Sequence, residues 1–282
     1  MLEELHGILP CFQAAGIPVM LLKGPELASR FHGGLHERGY GDLDLLVHGR
    51  DRRATLQLLS TLGYAQRSRV LLSRTLMAQV NHGFDFSRHG VRLDLHWCLS
   101  RQPGFRIDEE GFWQRGVGWS VAGLELTVPH PADELHHLLI SAFADLQRGA
   151  LRLQSLLDLK AVMATLHPFE ETAFLAAREQ ERTAAVCRSM LAILRALLPA
   201  QGNGAAQARS NEPKLTRSQM LGLLQPAPLG LPLKLWCARR LPVSLPSYGL
   251  WWLASLPLRA AASHPALRRP LSSEPAPGCQ RG

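Results

Sequence analysis

Asp42 and Asp44 stand one residue apart in the stretch Tyr40-Gly41-Asp42-Leu43-Asp44-Leu45-Leu46-Val47. Side chains alternate faces along a strand, so the two carboxylates would share one face. Leu43 and Leu45 would enter the opposite layer. Carboxylates about 7 Å apart on one strand face suit a divalent cation that prefers hard oxygen ligands. A bare Asp-x-Asp also fits a solvated strand edge, so other residues must separate the two.

Asp94 is the first of them. Phe84 to Gly90 and Val91 to Trp97 read as a hairpin turning at His89-Gly90. In the second arm Asp94 and His96 share a face, with Leu93, Leu95 and Trp97 on the other. The hairpin would set Asp94 beside the first two aspartates. Three carboxylates on adjacent strands form a metal cluster for phosphoryl or nucleotidyl transfer. That chemistry needs cations to bridge phosphate oxygens and neutralise charge at the transferred group. The third carboxylate could also accept the proton of an attacking hydroxyl. Lys23-Gly24 ends an earlier strand. A glycine at that turn lets the backbone approach a triphosphate, and the following helix start favours its charge.

The elements that must position these groups follow from periodicity. Leu2, Leu5, Ile8, Leu9 and Phe12 recur at helical spacing, stopped by Gly16-Ile17-Pro18, with Pro10 weakening the second half. Val19 to Gly24 reads as a buried strand, and Pro25 opens a helix running to Phe31. Arg50 to Leu62 is an amphipathic helix ending at Gly63. Strand, helix, strand, helix is the rhythm of an α/β layer. A helix is expected over 70–80, a short one over 108–115, and a second hairpin over 117–128 around Ala122-Gly123. From Pro131 the period turns helical, with candidates at 131–147, 151–166, 169–179 and 183–198. Asp133, Glu134, His136 and His137 lack a zinc-binding spacing and read as helix-face residues. Asp145 and Asp158 read as helix-surface or interdomain residues. Residues 201–213 resemble a linker, and 226–282 are proline-rich, poorly specified and expected to be partly disordered.

Composition narrows the function classes. Apolar residues make up 46% of the 282-residue chain, enough for a sizeable core. Residues 1–181 carry 18 basic against 21 acidic groups, whereas residues 182–282 carry 13 against two. A basic C-terminal third can serve an acidic partner such as nucleic acid. An arginine-rich composition explains the same excess more simply, because only four of the 31 basic residues are lysines. The five cysteines are scattered without metal or disulfide spacing, as in a reducing compartment. The N-terminus carries no signal-peptide pattern, and the apolar run from Leu250 to Ala262 is too short to span a bilayer. A cytoplasmic protein is expected.

Leu22-Lys23-Gly24, Arg38-Gly-Tyr-Gly-Asp42-Leu-Asp44-Leu-Leu-Val47 and Val91-Arg-Leu-Asp94-Leu-His96-Trp97 together resemble the uncharacterised nucleotidyltransferases of the polymerase-β-like superfamily, over roughly residues 1–165. The resemblance implies an α+β fold: a mixed sheet with flanking helices, then a helical subdomain and a poorly ordered Pro/Arg-rich tail. The corresponding divisions are 1–128, 129–200 and 201–282. It also implies Mg²⁺ and transfer of a nucleoside monophosphate from an NTP to an acceptor the residues do not identify: a small molecule, a protein or an RNA end. By position, Asp42, Asp44 and Asp94 would hold metal, Asp94 doubling as base, while Lys23, Gly24 and Arg38 would face the phosphates. One departure stands out. Superfamily members often carry Gly-Ser after the first strand, and this chain has Gly24-Pro25. The departure favours an alternative: a degenerate transferase-like scaffold that binds partners through its helices and basic tail.

Overall fold

The computed structural model describes residues 1–67, 82–100, 102, 104–148 and 151–198. The helix expected over 70–80 and everything expected beyond 198 lie outside the described residues, including the linker and the basic tail.

The first helix, α1 (Leu2–Ala14), buries Leu5, Ile8 and Phe12, the apolar positions its period predicts. It runs through Pro10 to Ala14. The carbonyl that Pro10 leaves without an amide partner belongs to His6, and both residues are exposed, so water can satisfy it. Strand β1 (Val19–Leu21) follows, then α2 (Pro25–Phe31). Next come β2 (Leu43–Val47), a short 3₁₀ turn at Gly49–Asp51, α3 (Arg52–Thr61) and β3 (Ala65–Gln66). The hairpin β4 (Gly83–Arg88) and β5 (Val91–His96) turns at His89-Gly90, where φ is 49° and 83°. Helix α4 (Glu109–Gln114) precedes the hairpin β6 (Val117–Val121) and β7 (Leu124–Val128), whose turn residues Ala122 and Gly123 have φ of 49° and 78°. Positive φ at both central residues matches the right-handed twist of paired strands, which is why a glycine marks each turn. Four helices complete the description: α5 (Pro131–Arg148), α6 (Leu153–Thr165), α7 (Glu171–Glu179) and α8 (Ala184–Leu197).

The seven strands form one mixed sheet in the order β3-β4-β5-β2-β1-β7-β6. The β2/β5 and β1/β7 pairs are parallel and the others antiparallel. Alternation sorts the side chains. Leu43, Leu45, Val47, Phe84, Phe86, Leu93, Leu95 and Trp97 enter a core shared with Leu5, Ile8 and Phe12 of α1 and Leu59 of α3. On the opposite face Met20, Leu22 and Leu46 pack with Ile140 of α5 and Phe112 of α4. Leu27 of α2 joins a third core with Leu135, Leu139, Leu156 and Leu159. The later helices thus rest on the sheet face that carries Asp44, Asp94 and His96. No helix among the described residues is long and apolar enough to cross a membrane.

One expectation is corrected here. Asp42 does not lie in the strand with Asp44. It sits in a bend immediately before β2, which begins at Leu43. The chain is still turning at Gly41, and Leu22, the last backbone partner on the β1 side, bonds at Asp44, where its N–H donates to the carbonyl at 2.9 Å.

Gly24 fixes the approach of the β1 end to this bend. Its φ of 87° and ψ of −120° are open only to glycine, and a Cβ there would lie 3.2 Å from the Asp42 carbonyl oxygen. Gly24→Ala should therefore lower unfolding free energy by about 1–3 kcal/mol, measured by urea denaturation. An unchanged midpoint and slope would show that the turn relaxes without strain.

Candidate active site

Parallel register places Asp44 of β2 opposite Asp94 of β5, and antiparallel register places Asp94 opposite Asp85 of β4. Three carboxylates consequently stand in a row across three strands on one face. Asp42 adds a fourth at the mouth of β2. Its Oδ2 lies 3.6 Å from Arg92 Nη2, and its side chain is 38% exposed. The Asp44 side chain is 13% exposed, and His96 Nε2 donates to its Oδ1 at 3.0 Å. His96 in turn stacks on His82 with ring centroids 5.3 Å apart.

The carboxylates in this row ionise differently. Burial pushes the Asp44 carboxyl up, but the nearby Lys23 charge and the His96 hydrogen bond outweigh it, holding the group well below the usual carboxylate range. Asp94 has no such support. Burial first, then the charges of Asp44, Asp85 and Asp42, raise it to about 6. This is the electrostatic signature of a site short of positive charge. Hard carboxylate oxygens in such a field fit a divalent cation. Among the described residues no three His, Cys, Asp or Glu side chains already converge into an ion-binding group. Binding would require the aspartate side chains to turn toward a common point.

The phosphate-facing candidates divide. Lys23 follows β1 and is close enough to shape the charge state of Asp44, and among the described residues it forms no direct ion pair. Gly24 abuts the Asp42 backbone. Pro25, at the first turn of α2, carries no amide hydrogen to offer a ligand, and Glu26 beside it is fully buried. Arg38 is occupied elsewhere. Its Nε and Nη2 donate to Asp158 Oδ1 and Oδ2 at 2.7 and 2.8 Å. His32 Nε2 and Gln154 Nε2 also reach Asp158 Oδ1, each at 2.9 Å. Arg38 thus ties the loop ahead of Asp42 to α6, and Asp158 is buried in that contact.

Several polar residues near the site escaped the sequence reading. Asp85 was signalled by the alternation Phe84-Asp85-Phe86, once the strand pairing is known. Glu26, Glu134 and His137 gave no signal, because their burial arises only when α5 packs over α2 and the sheet. Glu26 and Glu134 are fully buried and His137 is 4% exposed. Burial drives both glutamate carboxyls upward, Arg30 opposing it at Glu26, where the two groups meet at 2.6 Å. Burial, reinforced by the Lys23 charge, drives the His137 imidazole down, so the ring is neutral. The preceding residue, His136, belongs to a separate and satisfied network. Its Nδ1 accepts from Arg178 Nη1 and its Nε2 donates to Thr183 Oγ1, both at 2.9 Å.

A mixed seven-stranded sheet flanked by helices, with aspartates on the face that meets the helices, is an α+β architecture of the nucleotidyltransferase class. The chain belongs to the family of uncharacterised nucleotidyltransferases, whose model matches residues 1–199. Among solved structures it is similar to the antibiotic-resistance factor ANT(2'')-Ia in solution, at 15% identity, covering 64% of this chain and 91% of that one with a TM-score of 0.46. It is similar also to crystalline ANT(2'')-Ia in complex with adenylyl-2''-tobramycin, at 16% identity, 67% and 97% coverage and a TM-score of 0.42. A third likeness is to an antigenic nucleotidyltransferase-like protein from Paracoccidioides brasiliensis, at 16% identity, 63% and 87% coverage and a TM-score of 0.33. No curated protein matches the chain.

The raised Asp94 carboxyl has a consequence for stability. Its folded value of about 6 exceeds the ordinary 3.8, so the folded state holds the proton more tightly than the unfolded chain. Stability without added metal should fall as pH rises through about 4 to 6 and stay lowered above. Asp94→Asn removes the penalty. Its melting temperature should exceed that of the wild type at pH 8, with the gap closing near pH 4, followed by thermal denaturation without divalent ions. A gap independent of pH would mean that the neighbouring charges do not act on Asp94.

Proposed function

We propose that this protein is a Mg²⁺-dependent nucleotidyltransferase that moves a nucleoside monophosphate from an NTP to an acceptor hydroxyl or phosphate. The observation that carries the reading is the register pair Asp44–Asp94 with Asp42 at the same strand mouth, in a field that leaves Asp94 raised to about 6. Asp42, Asp44 and Asp94 would hold the metal. Bound there, Mg²⁺ would neutralise the triphosphate and the charge that develops on the transferred group.

The remaining roles belong to the chain itself. Lys23 presents an unpaired ammonium to the phosphates beside Asp44, and Gly24 lets the backbone come close without a side chain in the way. Asp94 is the base. With an acceptor hydroxyl, the oxygen forms a bond to the α-phosphorus while the bond to the bridging oxygen of the β-phosphate breaks. Pyrophosphate departs with that electron pair, and the hydroxyl proton passes to a carboxylate of Asp94. In the metal-free site the Asp94 carboxyl, raised to about 6, is mostly ionised at neutral pH, and bound Mg²⁺ would hold it ionised and ready to take up the proton. Arg38 orders the loop that delivers Asp42 through its bonds to Asp158, and its Nη1, on the Gly39 carbonyl at 3.3 Å, would be the donor left for a phosphate.

The rival reading, a scaffold that has lost catalysis, draws on Gly24-Pro25 and on the absence of a converged ion-binding group among the described residues. Incubation with α-labelled NTPs and Mg²⁺ distinguishes the two. The wild type should turn NTP over in a metal-dependent way, and Asp42→Ala combined with Asp44→Ala should abolish it, a loss of at least about 10³-fold. Turnover that survives the double substitution would refute the assignment. A wild type that shows no Mg²⁺-dependent NTP uptake by calorimetry would favour the scaffold.

A further inference from the structure

His136 and His137 are adjacent on α5 and both buried, yet only one is satisfied. His136 has a partner at each ring nitrogen. His137 has none at either Nδ1 or Nε2. An imidazole always carries polar nitrogens, and leaving them unpaired in the interior costs stability. Where a side chain served only to fill space, a leucine would do so without that cost. An unpartnered buried polar side chain therefore points to a ligand.

The surroundings of His137 identify the ligand chemistry. The groups whose charges act on the ring are Lys23, His96, Asp44 and the neighbouring His136. Ile140, one turn further along α5, packs on Met20, Leu22 and Leu46 on the sheet face that carries Asp44, so His137 lies over that same face, beside the Lys23 charge. The two buried glutamates nearby, Glu26 and Glu134, would repel an anion if ionised, but burial holds both toward their neutral forms. The ring is neutral, so it offers one N–H donor and one acceptor. A phosphate oxygen accepts and does not donate, and matches the N–H. The Lys23 ammonium is one donor beside Asp44, and the ring would add a neutral one. Arg38, the residue expected to grip phosphate, has its Nε and Nη2 bonded to Asp158.

We propose that His137 donates a ring N–H hydrogen bond to a phosphate oxygen of the bound nucleotide, alongside Lys23. The inference rests on the nucleotidyltransferase reading and assigns a residue of α5 to the substrate site. It also gives the later helices a direct part in binding: nucleotide on the sheet would be held from above by α5.

The test uses the full chain, with ATP and Mg²⁺ as the probe, titration calorimetry for affinity and thermal unfolding without nucleotide as a control. His137→Leu removes the donor and fills the volume, whereas His137→Asn retains an N–H. Without nucleotide, His137→Leu should melt at or above the wild-type temperature, because no buried polar group is left unpaired. Its affinity for ATP·Mg²⁺ should fall by about tenfold or more, the loss expected for a hydrogen bond to a charged group. His137→Asn should bind closer to the wild type than His137→Leu does. Wild-type affinity in His137→Leu, or equal weakness in the two variants, overturns the proposal. Should His137→Leu melt lower, the comparison of His137→Asn with the wild type, below both melting temperatures, decides: an affinity within a few fold supports the contact and a loss of tenfold or more overturns it. A wild type that takes up no ATP·Mg²⁺ defeats the nucleotidyltransferase reading itself and this inference with it.

Discussion

Repulsion between neighbouring carboxylates on one sheet face is the constraint around which this structure is arranged. Adjacent strands lie about 4.8 Å apart, and two unit charges about 5 Å apart repel by roughly 3 kcal/mol at an effective dielectric near 20. The chain sets Asp44 beside Asp94 and Asp94 beside Asp85 despite this. It does so because the opposite faces of the same strands carry Leu43, Leu45, Leu93, Leu95, Phe84 and Phe86, all in one core. A slip of one residue in β2 or β5 would expose those apolar groups and bury the acids. The hydrophobic layer thus enforces a register that the polar layer would refuse.

Partial compensation is built unevenly. Asp44 receives Lys23 and the His96 hydrogen bond, and remains ionised. Asp94 receives no comparable support and takes up most of the field. Two ionic clusters fix the helices around this region. Arg38, His32 and Gln154 converge on Asp158 and tie α6 to the loop before β2. Arg115 grips Asp133 with donors at 2.7 and 3.0 Å, and Arg178 meets His136 and Glu181 at 2.9 Å each, which joins α5 to the end of α4 and to α7. Each cluster sets opposite charges within 3 Å of one another, which offsets the desolvation penalty of partly buried charges.

Much of this was legible in the residues. Alternation in Leu43 to Val47 and Val91 to Trp97 assigns faces correctly, and the glycines at 90 and 123 mark both hairpins because each tight turn needs a positive φ there. The helices from Pro131 to Leu197 follow from their period and length. What the residues could not give is information that exists only after packing. Asp42 shares a spacing with Asp44 but not a strand, since spacing says nothing about where the ladder begins. Arg38 is a plausible phosphate ligand by position, and only the approach of α6, 120 residues later in the chain, shows its partner. Glu134 and His137 look like any polar helix positions, because a period reports which face is apolar and not what covers the rest.

The contrast between paired and unpaired interior groups bears on how such a site is kept. Each unsatisfied polar group in the interior reduces the stability of a fold whose margin is small. Such groups persist where a ligand relieves the cost, since binding to the folded state alone adds its own stabilisation. In this molecule both ring nitrogens of His136 are paired, with Arg178 and Thr183, while Arg178 Nε and Glu181 Oε2 beside them have no hydrogen-bond partner among the described residues. The oxygens of Glu134 and nitrogens of His137 have no hydrogen-bond partner among the described residues and lie within the field of Lys23. Excess negative charge on the sheet and open donors on the helix above it are complementary demands. A metal-bound polyphosphate, the substrate proposed above, would answer both, with its cation toward the aspartates and its oxygens toward Lys23 and α5.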